Sequence, residues 1–306
     1  MITDLCIIAV YYNPERYRTR YANYVQFFRA LVETGIRPMI IECAFGNDAF
    51  ELPIEHCVAR VRSNSVLWQK ERLLNVVLRR LPSNCRNVAS MDTDILFEDT
   101  SWLLAASEAL KRYPVIQLFE SVIRLPKGHV DFRGQGDCFR SFASKYKASP
   151  GCEKLGWYKH GHTGFAWAAQ RRLLDACGFF DLCLSGVGDH VMSHGFVGDW
   201  YSKCVDNLVG LGSPLHSAFR SWARVAYQAT EGKLGSIPGR ILHLWHGDAK
   251  NRRYLQRAHE LRRFEFSPSR DLLIDESGCW SWANGNVKLQ DWAARSFADR
   301  REDGEP

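Results

Sequence analysis

The sequence predicts an α/β fold, a single domain with a mostly parallel central sheet flanked by helices. In the N-terminal part, short apolar runs rich in β-forming residues alternate with amphipathic stretches at helical spacing. This repeated βα pattern is typical of parallel sheets. The 306 residues, 46% of them hydrophobic, are enough for a sizeable core in one large domain.

The first strand and the first helix are predicted from their periodicity. Residues 5–12, LCIIAVYY, form a continuous apolar run that ends at Asn13 and Pro14, as expected of a buried parallel strand. Apolar residues then recur at helical spacing over residues 16–34, and Gly35 provides a C-cap. Together they predict the first βα unit.

Two further βα steps follow. The apolar segments 39–45 and 87–97 predict strands, and the amphipathic segment 65–82 between them predicts a helix. Residues 101–113 predict another helix, with Ser101 as its N-cap.

The second half of the chain is less regular. Residues 126–160 are rich in glycine, lysine and arginine and predict a long, partly mobile loop of the kind that often carries function. We expect a helix over residues 166–178 and a strand at the start of residues 240–254. Residues 266–306 are expected to form an irregular tail that packs on the domain.

Composition narrows the class of protein. The N-terminus has no basic segment before its short apolar run, so no signal peptide is predicted, and no apolar run reaches the roughly 20 residues that span a bilayer. We therefore expect a soluble, cytoplasmic protein with no membrane partner. Ten scattered cysteines without a C-x-x-C pair argue against structural zinc and indicate buried free thiols. The formal net charge of +6 permits an anionic partner without requiring one.

Two aspartates stand at the end of the third predicted strand. Asp92 and Asp94 flank Thr93 in the sequence MDTDILF. Open α/β sheets bind ligands at the carboxyl ends of their strands, and side chains at i and i+2 of an extended segment share a face. Such a pair suits Mg²⁺ or Mn²⁺, which bind carboxylate oxygens. A D-x-D motif alone is a weak signal, and a solvated acidic turn is the alternative.

Two other segments contain candidate site residues. His243 and His246 lie three residues apart, and imidazole also binds Mn²⁺, although most such pairs are structural. In LSGVGDHVM, the glycines permit a tight loop and Asp189 precedes an apolar, helix-like run. That carboxylate is either a helix N-cap or a general base.

The order of these parts resembles nucleotide-sugar glycosyltransferases of the GT-A fold, from residue 5 to about residue 265. WQKERLLNVVLRRLP followed by VASMDTDILFED is similar to the helix and D-x-D strand of β-galactosyltransferase-like enzymes. HTGFAWAAQRRLLDACGFFD followed by SGVGDHVM is similar to their GFD and GGED-type stretches, with Gly188 in place of the usual glutamate. HLWHGDAKNRRY resembles the strand that completes their metal site.

The resemblance implies an organisation and a reaction. A nucleotide-sugar-binding half is expected at residues 1–125, an acceptor and catalytic half at 126–265, and the tail at 266–306. The implied reaction moves a hexose from a UDP-sugar such as UDP-glucose to a hydroxyl. Mn²⁺ or Mg²⁺ would neutralise the diphosphate leaving group. Inverting relatives use the aspartate after the glycine loop as general base, which here is Asp189.

The same resemblance implies roles for other residues. Asp94 is the expected metal ligand together with His246 and His243, while Asp92 contacts the ribose or reaches the ion through water. Residues expected to bind the donor are Tyr11, Asn13, Arg16, Lys70, Arg72, Asp92 and Thr93. Those expected at the sugar and acceptor platform are Gly164, Phe165, Trp167, Gly186 and Gly188. The alternative for Lys70 and Arg72 is that they are surface charges on an exposed helix face. The alternative for Phe165 and Trp167 is that they pack in the core.

A narrower resemblance concerns the acceptor. GRILHLWHGDAKNRRYLQR and SFADRREDG look like the TET/JBP-associated glycosyltransferases of phages and bacteria, a group linked to glycosylation of hydroxymethylated pyrimidines in DNA. This implies DNA modification at 5-hydroxymethylcytosine, in a host cytoplasm if the gene belongs to a phage. Residues that can then contact DNA phosphates are Lys250, Arg252, Arg253 and Arg257. The loop at 126–160 adds basic residues interleaved with aromatic ones, including Trp157.

Other functions remain open at this stage. A solvated basic face also suits a surface or capsular saccharide as acceptor of the same chemistry. A sugar-phosphate nucleotidyltransferase is disfavoured because YYNPERY lacks a glycine-rich basic loop for a nucleoside triphosphate. A non-catalytic DNA-binding module is the remaining alternative. The sequence indicates no obligate protein partner.

Overall fold

The computed structural model describes residues 4–156 and 159–304, so Trp157 lies outside the described residues. The strands are β1 (Leu5–Tyr12), β2 (Met39–Phe45), β3 (Cys57–Ser63), β4 (Asn87–Met91), β5 (Ile95–Phe97), β6 (Val115–Gln117), β7 (Ser121–Arg124), β8 (Asp137–Arg140), β9 (Ala166–Gln170), β10 (Leu234–Ser236), β11 (Arg240–His243), β12 (Leu272–Ile274) and β13 (Trp280–Trp282). The helices are α1 (Arg18–Glu33), α2 (Lys70–Leu78), α3 (Trp102–Leu110), α4 (Phe142–Ala148), α5 (Arg171–Cys177), α6 (Gly188–Val197), α7 (Lys203–Val209), α8 (Pro214–Thr230), α9 (Tyr254–Arg263), α10 (Pro268–Asp271) and α11 (Val287–Ala298).

The predicted α/β class is confirmed by a large, mostly parallel sheet between helices. Its strand order is β10-β6-β9-β4-β1-β2-β3, and β9 runs antiparallel to both of its neighbours. β1 pairs in parallel with β2 and β4. Alternate residues of β1 therefore join two cores: Ile8 lies in the core that includes α2 and α8, and Ile7 in the core that includes α1 and α3.

The helix predicted at residues 166–178 is wrong in its first part. Residues Ala166–Gln170 form β9, and the helix α5 begins at Arg171. Alanines favour a helix by propensity, but β9 lies between β4 and β6, where Ala166 and Ala168 are fully or almost fully buried. Packing between two strands outweighs the weak intrinsic preference of a five-residue segment.

A second sheet brings distant segments of the chain together. Its strand order is β5-β11-β7-β8, with β11 antiparallel to β5, so that His243 pairs with Ile95. The Leu244 amide also donates to the Asp94 carbonyl at 2.8 Å. The end of β11 is thereby fixed beside the D-x-D motif. The predicted strand stops at His243, and the chain turns at Gly247, whose φ is +91°, towards α9.

The C-terminal tail is ordered, which corrects the expectation for residues 266–306. It contains α10, the β12–β13 hairpin and α11. Leu289, Trp292, Ala293 and Phe297 face the core from one side of α11. These four residues are spaced as on one face of a helix, so the sequence already contained the periodicity that predicts α11.

Three smaller predictions also change. The helix expected at 65–82 is the shorter α2, and Ser101 makes no side-chain cap but donates through its amide and hydroxyl to Asp99. The loop at 126–160 contains β8, α4 and a short 3₁₀ helix at Cys152–Leu155. Across the described parts of the chain, no helix has both the length and the apolar character needed to cross a membrane.

Candidate active site

Asp94, His243 and His246 converge where β4 and β11 end. Asp94 Oδ2 lies 3.4 Å from His246 Nε2, Asp94 Oδ1 lies 3.8 Å from His243 Nε2, and the two Nε2 atoms are 2.9 Å apart. Asp94 Oδ1 is buried and has no hydrogen-bond partner in the described structure. One carboxylate and two imidazoles that face a common point fit a divalent cation, and the nitrogens favour Mn²⁺ over Mg²⁺. We call these three residues the triad.

The electrostatics of the triad suit a cation. Burial lowers the pKa of His243 and of His246, so both imidazoles are in the neutral form that binds metals. Burial also raises the pKa of Asp94, an effect that a bound cation opposes. The side chains stay 14–20% exposed, which leaves positions for exogenous ligands, as in catalytic metal sites.

Glu302 orients the triad from behind, and no prediction included it. Its buried carboxylate lies 3.7 Å from His246 Nδ1 and accepts hydrogen bonds from Arg252 at 2.9 Å, Arg20 at 3.2 Å and Arg300 at 3.3 Å. Burial opposes its charge, but Arg20 and Arg252 hold the pKa of this carboxyl well below its usual range. A carboxylate behind a metal-binding histidine fixes the ring orientation.

We expect Glu302→Gln to lower the free energy of unfolding by about 3–5 kcal/mol, because several guanidinium groups would stay buried without their counter-charge. Denaturant unfolding measures the change. Glu108→Gln is the matched control, since that surface carboxylate pairs only with exposed Lys111, and its effect should stay within about 0.5 kcal/mol. Equal, small effects of the two substitutions would contradict the structural role of Glu302.

More guanidinium groups lie near Glu302 than its single carboxylate can pair with. Arg257 is 5% exposed and donates to the Ser296 carbonyl at 3.3 Å, yet its Nε and Nη2 atoms have no partner, and the same two atoms of Arg300 have none. Burial, with Arg300 nearby, lowers the pKa of Arg257 to about 9. Buried donors without acceptors are costly, and an oxyanion would satisfy them. Four guanidinium nitrogens of Arg257 and Arg300, near Glu302, are therefore buried without an acceptor in the described structure.

This arrangement corrects the assignment of Arg252 and Arg257 to a DNA surface. Both are buried, and Arg252 donates to Glu302 and to the His246 carbonyl. Arg253 is partly exposed and lies 3.4 Å from Glu260, while exposed Lys250 lies 3.9 Å from Asp248. With half of the cluster buried, these residues do not form a continuous basic face.

Lys70 joins the other two acidic candidates. Its Nζ atom lies 2.5 Å from Asp92 Oδ1 and 2.7 Å from Asp189 Oδ2. Burial disfavours the charged amine, but Asp189 and Asp92 raise the pKa of Lys70 well above its ordinary value. Asp92 therefore pairs with Lys70 rather than with the triad, and Lys70 is no mere surface charge. Thr93 between the two aspartates is buried.

Asp189 lies in the first turn of α6, where Val187 occupies the N-cap position without a side-chain bond. Burial raises the pKa of the Asp189 carboxyl, and Lys70 opposes this rise. Glycines border it: a Cβ at Gly164 would lie 3.6 Å from Asp189 Oδ2, and one at Gly188 would collide with the Glu71 carboxylate. A Cβ at Gly186, whose φ is +79°, would press on Trp68 at 3.3 Å.

Arg72 is not placed to meet a diphosphate, which corrects that prediction. Its guanidinium is 5% exposed, donates to the Gly278 carbonyl at 2.6 Å and lies 3.3 Å from Asp181. It also stacks over Trp280, with 5.3 Å from the guanidinium carbon to the ring centre. Arg72 thus holds the C-terminal hairpin against α2.

Tyr11, Asn13 and Arg16 line a shallow pocket at the carboxyl ends of β1 and β2. Glu51, which was not predicted, lies among them. Asn13 Nδ2 donates to Glu51 Oε2 at 3.0 Å, and the Tyr11 hydroxyl donates to the same carboxylate. Arg16 Nε lies 3.5 Å from Glu51 Oε1. The pocket presents both donors and acceptors to the edge of a planar polar ligand.

Phe165 and Trp167 are buried, so neither is an exposed platform. Phe165, with φ +83°, stacks on His162 with 4.1 Å between ring centres and packs against His243 at 4.6 Å. Burial, with Arg124 at 3.0 Å, lowers the pKa of His162 to about 3. Trp167 donates to the Thr163 carbonyl at 2.8 Å and, with Asp189, lines a mostly apolar cavity of about 420 Å³.

Partly exposed aromatic and basic side chains lie on β7, β8, the loop between them and the start of β11. The Arg124 guanidinium lies over Phe139 and that of Arg240 over Phe132, each with 4.7 Å to the ring centre. Both rings are 37% exposed. We call this surface the β8 face; the stack of His162 and Phe165 connects it to the triad.

The similarities of this chain to known proteins are to solved structures. No known family profile matches it, and no curated protein sequence does. Among solved structures, it is similar to the catalytic domain of Drosophila β1,4-galactosyltransferase 7 in complex with xylobiose, at 10% identity and a TM-score of 0.39, covering 94% of this chain and 98% of that one. A mutant of that Drosophila enzyme with manganese, UDP-Gal and xylobiose matches at 11% identity and a TM-score of 0.34, covering 61% of this chain and 58% of that one. The 4-diphosphocytidyl-2C-methyl-D-erythritol synthase of Anaerococcus prevotii matches at 11% identity and a TM-score of 0.33, covering 77% and 86%. These likenesses are too weak to bear on function.

Proposed function

We propose that the protein is a metal-dependent glycosyltransferase of the GT-A type that moves a hexose from a UDP-sugar to an acceptor hydroxyl. The observation that carries the proposal is the triad, one carboxylate and two neutral histidines at the carboxyl edge of a parallel sheet. Ligands bind such sheets at this edge. Mn²⁺ at the triad, or Mg²⁺, would neutralise charge that develops on the departing diphosphate.

The residues around the triad supply the other requirements of the reaction. Partnerless guanidinium nitrogens on Arg257 and Arg300 are donors for phosphate oxygens. Lys70 bridges Asp92 and Asp189 and stands between the metal motif and the base, where the sugar–phosphate bond would lie. Asp189 is the general base: it takes the acceptor proton as the hydroxyl attacks the anomeric carbon, which is the role required of an inverting enzyme.

The donor nucleotide is assigned to the pocket of Tyr11, Asn13, Arg16 and Glu51. The Glu51 carboxylate can accept a hydrogen bond from the imide N–H of uracil. The Asn13 amide and the Arg16 guanidinium can donate to the carbonyl oxygens on either side of that N–H. The pocket lies on β1 and β2, next to the β4 strand that leads to the triad. A UDP-sugar lying along this edge would reach from the pocket to the metal.

We expect Glu51→Gln to weaken UDP-glucose binding about tenfold or more, since a hydrogen bond to a charged group contributes roughly 1.5–3 kcal/mol. The loss should raise KM and leave kcat nearly unchanged, because the pocket is remote from the reacting bond. Calorimetry and initial rates measure the two effects. Glu55→Gln, on the exposed 3₁₀ turn at Ile54–His56, is the matched control, and equal affinities of the two variants would place the nucleotide elsewhere.

For the acceptor we propose 5-hydroxymethylcytosine in DNA. The β8 face supports this, because guanidinium groups over exposed phenyl rings suit both phosphates and unstacked bases. It replaces the buried Arg252 and Arg257 as the expected DNA contact. Aromatic rings also stack on sugars, so a surface or capsular saccharide is the competing acceptor.

One assay separates these outcomes. Radiolabelled UDP-sugars are incubated with hydroxymethylated DNA, unmodified DNA and bacterial polysaccharide, with Mn²⁺, with Mg²⁺, with Fe²⁺ and with chelator. We expect Mn²⁺-dependent label in hydroxymethylated DNA alone, and weaker labelling as salt rises. Label in polysaccharide would support the glycosyltransferase reaction but show that the acceptor is a saccharide and not DNA. Donor that is neither transferred nor hydrolysed under any condition would overturn the glycosyltransferase itself.

A further inference from the structure

A second cluster of metal-binding side chains lies away from the triad. It consists of His160, His190 and His194 with Cys204, and all four residues are at most 4% exposed. One ligand atom from each lies within 4.8 Å of the others. In the described structure this is one of two such groups, the triad being the other. The two differ in kind, since the triad is open to solvent and the cluster is closed.

The contacts inside the cluster are those of ligands without their ion. His160 Nε2 lies 3.0 Å from His190 Nε2, and Cys204 Sγ lies 3.2 Å from His190 Nε2 and 3.6 Å from His160 Nε2. His194 Nε2 is buried without any hydrogen-bond partner. Protons on His160, His190 and the thiol can satisfy the contacts among these three groups, but they leave His194 Nε2 without a partner.

The outer nitrogens are held as in metal sites. His194 Nδ1 lies 2.8 Å from Asp199 Oδ2, and His160 Nδ1 lies 2.9 Å from the Gly161 carbonyl. Hydrogen bonds on the far side of a ring fix its tautomer and direct the lone pair of the other nitrogen inward. A carboxylate–histidine pair of this sort is common behind bound zinc.

We infer that His160, His190, His194 and Cys204 form a structural zinc site. Three nitrogens and one sulfur match the ligand preference of Zn²⁺ and its coordination number of four, and the burial of all four residues matches a closed, structural site. The expectation against zinc rested on cysteine spacing, whereas three of these ligands are histidines, two of them one helical turn apart on α6.

The position of the cluster indicates what a bound zinc ion would do in the fold, which is to link separate segments of the chain. His160 precedes the segment that contains Gly164, His190 follows Asp189 on α6, and Cys204 belongs to α7. One ion would tie together the segment before Gly164, the helix α6 that contains Asp189, and α7. The assignment does not depend on the proposed reaction, because the metal content of the protein can be measured without any substrate.

The test begins with the full-length wild type, expressed without a polyhistidine tag and dialysed against metal-free buffer. We expect one equivalent of zinc per chain by elemental analysis, with a fall in the thermal midpoint once a strong chelator removes it. Cys204→Ser should lose the zinc, whereas Cys85→Ser, at a buried cysteine outside the cluster, and His243→Ala, in the triad, should retain it.

Cobalt exchange decides which site is occupied and needs no variant. Co²⁺ in the cluster gives a thiolate-to-cobalt charge-transfer band and the visible absorption of tetrahedral cobalt, while the triad contains no sulfur. The Zn²⁺-stripped wild type should show this band, and Cys85→Ser should show it too. A folded wild type that neither contains zinc nor yields the band overturns the proposal, as does zinc that is lost in His243→Ala and retained in Cys204→Ser.

Discussion

Asp94→Asn should lose transfer activity by about 10³-fold or more. A metal ion held by the triad would contribute several kcal/mol to stabilising the leaving diphosphate, and each factor of ten in rate corresponds to about 1.4 kcal/mol. The substitution removes the one anionic ligand of the triad while keeping the shape of the side chain. The neutral amide also leaves both imidazoles without the charge that balances a cation. We therefore expect Mn²⁺ affinity and transfer to fall together.

The measurement needs two readouts. Calorimetry with Mn²⁺ reports binding at the triad, and release of UDP from UDP-glucose reports chemistry even if the natural acceptor differs from DNA. Asp175→Asn, at a surface aspartate that pairs with Arg171, is the matched control and should behave as wild type. An Asp94→Asn variant with wild-type turnover would exclude a metal-dependent reaction at the triad. Absence of turnover in the wild type, with DNA binding that survives Asp94→Asn, would instead favour a non-catalytic DNA-binding protein.

Asp189→Asn should lower kcat by about 10²–10⁴-fold, the range for loss of a general base. Donor and metal binding should remain, because Asp189 contacts Lys70 and not the triad. The comparison with Asp94→Asn is informative, since one substitution removes ligand binding and chemistry and the other removes chemistry alone.

Asp206→Asn offers a matched control for this prediction, because Asp206 also lies in the first turn of a helix, α7, and pairs with a lysine. Single-turnover transfer with saturating donor and Mn²⁺ measures the chemical step. If Asp189→Asn kept its wild-type rate, the base would lie elsewhere or the reaction would retain configuration at the anomeric carbon.

Local patterns predicted the parts of the site that lie on regular elements. β1, α1 and the end of β4 follow from apolar periodicity, whereas the meeting of Asp94 with His243 and His246 was implied by the resemblance in motif order and not by their spacing. What failed depends on contacts between segments that are remote in the chain. Ala166 and Ala168 became strand residues only because two strands flank them.

Charged residues were the hardest to assign. Arg252 and Arg257 had the composition of a surface cluster, and burial against Glu302 and the Ser296 carbonyl decided their place. Arg72 likewise is buried against Asp181 and the C-terminal hairpin. No local sequence pattern predicts which lysine or arginine side chain will pair with a buried group from a distant segment. The cysteine–histidine cluster had a partial signal, the i, i+4 histidines of α6, but Cys204 came from another helix.

The placement of Glu302 has a consequence for synthesis of the chain. Its carboxylate supports the ring of His246, yet about 200 residues separate it from Asp94. At a synthesis rate of about 5–20 residues per second, roughly 10–40 s pass between the emergence of the aspartate and that of the glutamate. Such long-range pairing also makes folding slow. A nascent chain therefore lacks the carboxylate that supports His246 until about 200 further residues have been added after Asp94.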